Sequence, residues 1–409
     1  MKLLYDLKST QTAILGAGGG GEYSRAVFRR LVAMSAALAE SNHEKRDESD
    51  TEPRLAAFYQ GDHPLDPDIQ ELVRKHNIDL HPIDGTNGLQ ALLSSGKFSS
   101  FMSGLPYHTH TLNFGQMVVF LGVHGLRPLE QMMPFHGRHY ARGIPAKAKW
   151  LAKYLLEQVR PQWRAKQFQA LVNLSCRQLH VIVPSWHTRY SMVEKLDLPA
   201  DLQIHDFYCP EAKAGTAAQN DVRLFEKLGV REGKYLFMVS GDRWIKNTWR
   251  ALTALIEVMD KLPDDKWLPV VVTGGVPSGL PRGKRPYVIS SAYLNRDELA
   301  TMYRGARAFY YPTLNEGFGY PPFEAMAQGT PVVCSAISSI TEVVGDAAIY
   351  FNPFSLDEMK IRLRLVVEDD DLLAEHVQRG ERRLAVVRAR QNADLDKLCQ
   401  MLLDSVPKK

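Results

Sequence analysis

Apolar positions along this chain fall into two recurring patterns. The first is the short apolar run closed by turn residues. In the first half it occurs at 2–7 (KLLYDL), 55–60 (LAAFYQ), 98–102 (FSSFM), 117–123 (MVVFLGV) and 180–183 (HVIV). In the second half it recurs at 235–239 (YLFMV), 268–273 (LPVVVT), 287–290 (YVIS), 308–311 (AFYY), 331–334 (PVVC) and 348–351 (AIYF). Runs of this length predict buried strands. The second pattern is helical spacing. Val27, Leu31, Met34 and Leu38 share one face. Further helices are predicted over 247–261, 297–306, 321–327 and 356–368, with a charged helical tail from 372. Strands alternating with helices predict βα units and a parallel sheet covered on both faces.

Two stretches break the alternation. Residues 41–53 are polar and charged and read as a solvated loop. Residues 204–233 carry no strong period. The expected organisation is a first Rossmann-like domain over 1–207, a linker over 208–233, and a second Rossmann-like domain over 234–385. A helical tail over 386–409 is expected to pack back on the first domain. In such sheets ligands sit beyond the carboxyl ends of the strands, so residues just after strands carry the functional weight.

Composition narrows the class. The chain has 409 residues, 45% hydrophobic and 23% charged, which suits two or three folded domains rather than disorder. The formal charge of +4 is too small to imply nucleic acid as a partner. Cys176, Cys209, Cys334 and Cys399 show no C-x-x-C spacing, so neither a disulfide framework nor a zinc site is expected and a reducing cytoplasm fits. The opening MKLLYDLKST has no signal-peptide core, and MVVFLGV is too short to span a bilayer.

Gly16, Gly18 and Gly21 in GAGGGGEYSRAVFRRLV spell G-x-G-x-x-G. The dinucleotide version of that motif needs a strand running into the first glycine and an acidic residue about 20 positions on. Here the strand ends well before Gly16, and SNHEKRDESD at 41–50 is a polar loop. Glycines before a helix still let backbone approach an anionic or hydroxyl-rich ligand. A turn without a ligand is the alternative.

YPTLNEGFGYPPFEAMAQGTPVV, 311–333, carries more. Glu316 follows a strand, then comes Gly317-Phe318-Gly319. Pro321 and Pro322 suit a first helical turn, which also places Glu324 there, and Gly329 ends the helix. Two carboxylates eight residues apart thus flank a glycine loop and a helix N-terminus. Backbone N–H groups and the helix dipole favour phosphate, and a carboxylate accepts paired hydrogen bonds from sugar hydroxyls. Taken singly, each glutamate reads equally well as a helix-terminus or solvated loop residue.

This stretch resembles the E-x7-E region of retaining glycosyltransferases with the GT-B fold, in the group called family 4. The likeness runs from Tyr293 through Pro353 and includes LNRDELATMYRGARAFYYPTLNEGFGYPPFEAMAQGTPVV and GDAAIYFNP. It implies that Glu324 binds the donor ribose and that Glu316 lies against the donor sugar. It also implies donor contacts from Gly317, Phe318, Gly319 and Leu294. VSGDRWIKN, 239–247, looks like the family's G-x-R…K-N pattern, whose Arg and Lys contact the donor diphosphate. That assigns Gly241, Arg243 and Lys246. FLGVHGLRPLE, 120–130, resembles a strand ending in His-Asp-Leu. His124 then matches the histidine facing the donor sugar, while Gly125 stands where the family has Asp. Gly20 and Gly21 correspond to the N-terminal glycine loop, with backbone contact to donor phosphate and acceptor. VPSWHTRYSMVEKL, 183–196, is similar to the Ser-x-x-(Ser/Thr) segment near the end of the first domain.

The resemblance implies an α/β protein of GT-B type, two doubly wound Rossmann-like domains facing a central cleft, with 1–207 on the acceptor side and 234–385 binding the nucleotide sugar. It implies a retaining, metal-independent transferase with no cofactor. The donor is a nucleotide diphosphate sugar, GDP-mannose or a UDP-sugar. The acceptor is a hydroxyl of a glycan or lipid-linked glycan in bacterial surface polysaccharide synthesis. The rivals are a NAD-dependent oxidoreductase and a non-catalytic sugar-nucleotide-binding subunit. Two weaker features remain. His108 and His110 have no third metal ligand placed by spacing. Residues 138–166 hold eight Lys or Arg, one acid and several aromatics. That face suits anionic lipid at the inner membrane, an anionic lipid-linked acceptor, or plain solvation.

Overall fold

A computed structural model describes residues 1–11, 19–44, 54–106, 109–159, 163–211, 215 and 222–407. The chain forms two compact units. The first comprises Met1–Leu126, Trp163–Lys213 and Arg388–Lys409; the second comprises Arg127–Gln162 and Ala214–Val387.

The sheet of the first unit has seven strands: β1 (Lys2–Asp6), β2 (Leu55–Gln60), β3 (Asp79–Ile83), β4 (Phe98–Ser103), β5 (Val118–Gly122), β6 (Gln178–Val183) and β7 (Gln203–Asp206). Their order is β3-β2-β1-β4-β5-β6-β7. The second sheet has six: β8 (Leu236–Met238), β9 (Val270–Thr273), β10 (Val288–Ser291), β11 (Ala308–Tyr311), β12 (Val332–Ser335) and β13 (Ala348–Phe351). Their order is β10-β9-β8-β11-β12-β13. Every strand pair is parallel. All residues of β8, β9, β11 and β12 are buried. A parallel strand covered on both faces must be apolar along its length, which is why these runs were legible.

Core packing in the second unit joins Leu236, Val270, Val272 and Tyr310 of the sheet to the helices Thr248–Met259 and Leu356–Glu368 through Leu252, Leu255, Met259 and Leu363. Burying each such side chain contributes roughly 1.5–3 kcal/mol. In each sheet the strand order reverses once, between β1 and β4 and between β8 and β11. Those reversals open a crevice at the carboxyl ends of the flanking strands.

Three expectations need correction. The periodicity missed β3 (DLHPI) and β7 (QIHD), and it gave residues 204–206 to an unpatterned stretch. Both are edge strands, which need no continuous apolar run and tolerate Pro82. Part of the expected linker, Val222–Leu228, is a helix with Leu224 and Phe225 buried. Residues 127–162 group with the second unit, not with the first as a boundary at 207 requires. Long-range contacts hold them there: Tyr140 Oη accepts the Trp249 N–H at 2.8 Å, and the His139 ring stacks on Trp249 at 4.7 Å. The end of the chain, Arg388–Lys409, belongs to the first unit. Gly16 and Gly18, His108 and most of the 41–53 loop lie outside the described residues.

Candidate functional site

The reversal between β8 and β11 is where the second unit gathers its chemistry. β8 leads through Ser240 and Gly241 to a 3-10 turn, Trp244–Lys246, and then to the helix Thr248–Met259. Gly241 is required by space: a Cβ there would lie 2.3 Å from Val272 Cγ1 and 2.4 Å from the Gly275 carbonyl. β11 leads through Thr313–Gly319 to the helix Tyr320–Ala327. Gly319 is the N-cap in a left-handed conformation, φ 101°, and a Cβ there would lie 2.6 Å from Ile340 Cδ1. Among the described residues, four non-glycine residues have positive φ, and three of them, Ser240, Asn247 and Ser338, border these loops. Such backbone persists only where the surroundings over-determine it.

The two loops meet at one carboxylate. Lys246 Nζ donates to Glu316 Oε1 at 2.6 Å and to Tyr311 Oη at 2.5 Å. Tyr311 Oη and Thr313 Oγ1 also donate to Glu316 Oε1, at 2.8 and 2.9 Å. The Glu316 N–H donates to Ser338 Oγ at 2.9 Å. Ser339 Oγ donates to the carbonyls of Glu316 and Phe318, at 2.9 and 3.2 Å. The backbone of the loop is therefore fixed as firmly as the side chain. Burial alone pushes the Glu316 carboxyl up. The charges of Lys246 and Arg127 and the hydrogen bonds outweigh it and hold the carboxyl at about 2. Burial also draws the Lys246 ammonium below its ordinary value, opposed by Glu316 and aided by Arg243 and Arg127.

Glu324 lies in the second turn of its helix, not the first: the helix begins at Tyr320. Tyr303 Oη donates to Glu324 Oε2 at 3.0 Å. Phe318 is buried and stacks on Phe323 at 5.6 Å, so the glycine loop is pinned by its one large side chain. Arg243 is exposed at the start of its turn. Leu294 precedes the helix Arg296–Gly305, whose N-cap Asn295 forms a capping box with Glu298. Beside it, Tyr293 Oη donates to Asp242 Oδ1 at 2.8 Å and ties that loop to the one after β8.

The structure thus brings Lys246 into direct contact with Glu316 and places Arg243, Gly241, Gly317, Phe318 and Gly319 on the same two loops. His124, Gly20 and Gly21 belong to the other unit. Gly20 and Gly21 fall in the first turns of the helix Gly19–Glu44. His124 follows β5, and its Nε2 donates to the Gly104 carbonyl at 2.8 Å. Its Nδ1 lies 3.9 Å from Cys209 Sγ, and Tyr23 packs against the ring edge-on at 4.6 Å. Both ring nitrogens are engaged, and burial lowers the imidazole's pKa, so the ring is neutral at pH 7.

Sequence reasoning missed Arg127, Tyr311, Thr313, Tyr303 and Ser338. Arg127 opens the short helix Arg127–Glu130, and Glu130 Oε2 accepts from Asn315 Nδ2, the neighbour of Glu316. Arg127 Nε is buried with no hydrogen-bond partner. It stands three residues past His124 in the quoted FLGVHGLRPLE, and its isolated positive charge was the available signal. Among the described residues, no group of three or more His, Cys, Asp or Glu side chains is placed to hold a metal ion. His110 sits on a 3-10 turn, Thr109–Thr111.

Comparison with known proteins agrees with this geometry. Residues 224–383 match the profile of the family described as glycosyl transferases group 1. Among the similar solved structures are two that cover nearly the whole chain. Sucrose-phosphate synthase from Thermosynechococcus elongatus aligns over 99% of this chain and 98% of its own, with 14% identity and a TM-score of 0.61. HepE from Anabaena, solved with UDP and glucose, aligns over 99% of this chain and 100% of its own, with 14% identity and a TM-score of 0.57. The fold is of GT-B type, two parallel-sheet Rossmann-like units, and residues 224–383, less than half of the chain, are similar to the glycosyl transferases group 1.

More particular relatives share shorter stretches. O-antigen chain mannosyltransferase B of Escherichia coli is 42% identical over 78 residues, 19% of this chain and 20% of that protein. O-antigen chain mannosyltransferase RfbU of Salmonella typhimurium is 49% identical over 57 residues, 14% of this chain and 16% of that protein. The chain therefore spans a fifth or less of the length of these two relatives.

Proposed function

We propose that this protein is a retaining glycosyltransferase of bacterial surface polysaccharide synthesis. It moves a sugar from GDP-mannose, or a UDP-sugar as the runner-up donor, to a hydroxyl of a glycan or lipid-linked acceptor. The observation that carries the reading is the Lys246–Glu316 contact at the strand-order reversal, with Arg243 on the same loop. The relatives named as O-antigen mannosyltransferases support the choice of sugar and pathway.

In this reading Glu324, positioned by Tyr303, accepts hydrogen bonds from the ribose hydroxyls. The Gly317–Gly319 backbone meets sugar and phosphate, with Gly241 and Leu294 completing the donor contacts. Arg243 and Lys246 take up charge as the bond from the anomeric carbon to the diphosphate oxygen breaks. The acceptor oxygen bonds to that carbon on the same face, and its proton passes to the departing phosphate. Glu316 is held ionised beside the donor sugar and keeps Lys246 charged. The resemblance gives His124 the donor sugar, and gives Gly20 and Gly21 donor phosphate and acceptor. No metal is assigned a part.

The test is thermal stability with GDP, UDP, dTDP, ADP and NAD in turn, followed by transfer assays with the matching sugar nucleotide. A ligand at one hundred times its dissociation constant stabilises by about 2.7 kcal/mol. Stabilisation by GDP, transfer from GDP-mannose and an unchanged anomeric configuration by NMR are expected. Stabilisation by NAD alone would overturn the reading.

A further inference from the structure

The helix Ile144–Val159 is turned inside out for a helix of a folded domain. The face that meets the protein carries Trp150, Tyr154 and Glu157. Trp150 and Tyr154 stack at 5.1 Å, Phe135 packs edge-on against both, and Glu157 Oε2 accepts the Met133 N–H at 3.2 Å. The opposite face carries the aliphatic residues. Ile144 is 84% exposed, Leu151 46%, Leu155 53% and Val159 76%. Positions 144, 151, 155 and 159 fall on one stripe at 3.6 residues per turn, and Ala148, also exposed, lies on it. Leu156 flanks the stripe at 46% exposure. A scattered exposed leucine needs no explanation, but a continuous aliphatic stripe marks a contact surface.

Charge says what covers it. Lys147 on one side and Lys149, next to Leu156, on the other flank the aliphatic arc and are exposed, as are Lys153, further round the helix, and Arg142 just before it. Between 131 and 159 the only acid is Glu157, which is buried facing inward. The outer face is thus aliphatic at its centre and positive along its edges, with no carboxylate. A second copy of the same face would bring like charges together. Lysines beside an aliphatic stripe reach outward to lipid headgroups while their stems lie on the acyl boundary. Among the described residues no helix is long and apolar enough to cross a membrane.

We propose that the outer face of Ile144–Val159 docks the protein onto a bilayer rich in anionic lipid, with Ile144, Leu151, Leu155 and Val159 entering the headgroup boundary and the flanking Lys147 and Lys149 engaging acidic headgroups. The docking stands independently of the donor chemistry, and it would bring a lipid-linked acceptor within reach.

The test is co-sedimentation of the full chain with vesicles of phosphatidylcholine alone or mixed with phosphatidylglycerol. The expected result is pelleting with the anionic vesicles, weakened by salt. Leu151→Glu with Leu155→Glu is expected to reduce partitioning at least tenfold. Lys147→Gln and Lys149→Gln are expected to cost about fivefold for each lysine removed, and Lys153→Gln, on the side away from the stripe, clearly less. All these side chains are exposed, so circular dichroism and melting temperature stay as in the wild type. Transfer to a water-soluble acceptor, where the wild type shows it, stays as well, which separates failure of docking from failure of the transferase reading. Wild-type protein left in the supernatant with anionic vesicles would overturn the proposal. So would equal binding to neutral vesicles, binding indifferent to the variants, or a dimer in sedimentation velocity that Leu155→Glu dissolves.

Discussion

Lys246 Nζ and Glu316 Oε1 lie 2.6 Å apart, with side chains only 7% and 12% exposed. A pair this far from water is held by geometry, since desolvating two ions offsets most of their attraction. Breaking it from one side leaves a buried charge without its partner. Lys246→Met and Glu316→Leu are each expected to destabilise the protein by about 3–5 kcal/mol. The double variant should lose far less than the sum. Denaturant unfolding of the four proteins measures the coupling, and additive losses would show that the two do not interact. Transfer activity should vanish in all three variants, so stability and function part company in the double variant.

Acid should unfold the site in a defined window. The Glu316 carboxyl sits at about 2 in the folded protein, against an ordinary value of 4.5. A depressed carboxyl contributes stability above its unfolded value, and that contribution is lost as pH falls through the folded value. The difference in melting temperature between wild type and Glu316→Gln should therefore shrink steadily from pH 4.5 to about 2. A difference that stays constant across that range would mean Glu316 is not held ionised by Lys246.

Tyr303 Oη donates to Glu324 Oε2, so in the proposed reading it acts through that carboxylate. Losing one hydrogen bond to an ionised group costs about 1.5–3 kcal/mol when it is fully expressed. Tyr303→Phe is expected to weaken nucleoside diphosphate binding about tenfold, by calorimetry, with kcat little changed. Glu324→Ala should weaken it much further. Equal affinity in Tyr303→Phe and wild type would make Tyr303 a packing residue only.

Arg127 carries a buried Nε with no partner, and its charge reaches Lys246, Glu316 and Tyr311. Arg127→Gln should leave the melting temperature near wild type while lowering kcat/KM by about tenfold or more, as expected for a charged hydrogen bond made only to substrate. Arg127→Lys should recover part of the loss. Unimpaired turnover in Arg127→Gln would remove it from the site.

In the proposed mechanism Arg243 and Lys246 take the charge that a divalent ion would otherwise bear, and on that reading transfer should survive exhaustive chelation. Rates in EDTA and in added magnesium are the comparison. A chelator-sensitive rate restored by one metal would require ligands outside this set.

Much of this protein is written locally. Apolar runs such as VVVT at 270–273 report central parallel strands, because a strand buried on both faces must be apolar at every position. Glu316, the glycine loop and Glu324 lie within one contiguous segment, so spacing alone exposes them. Arg243 and Lys246 follow a strand closely enough to be found in the same way.

Other features exist only once the chain is folded. The edge strands β3 and β7 have no burial signal of their own, since pairing on one side defines them. Residues 127–162 join the second unit through Trp249, more than a hundred positions on, at Tyr140. Lys246 meets Glu316 across 70 residues because the sheet order sets β8 beside β11. The outward turn of Leu151 and Leu155 is likewise decided by what occupies the inner face. Periodicity locates the apolar stripe of a helix, but only the packing of Trp150, Tyr154 and Glu157 determines which side of that helix meets the protein.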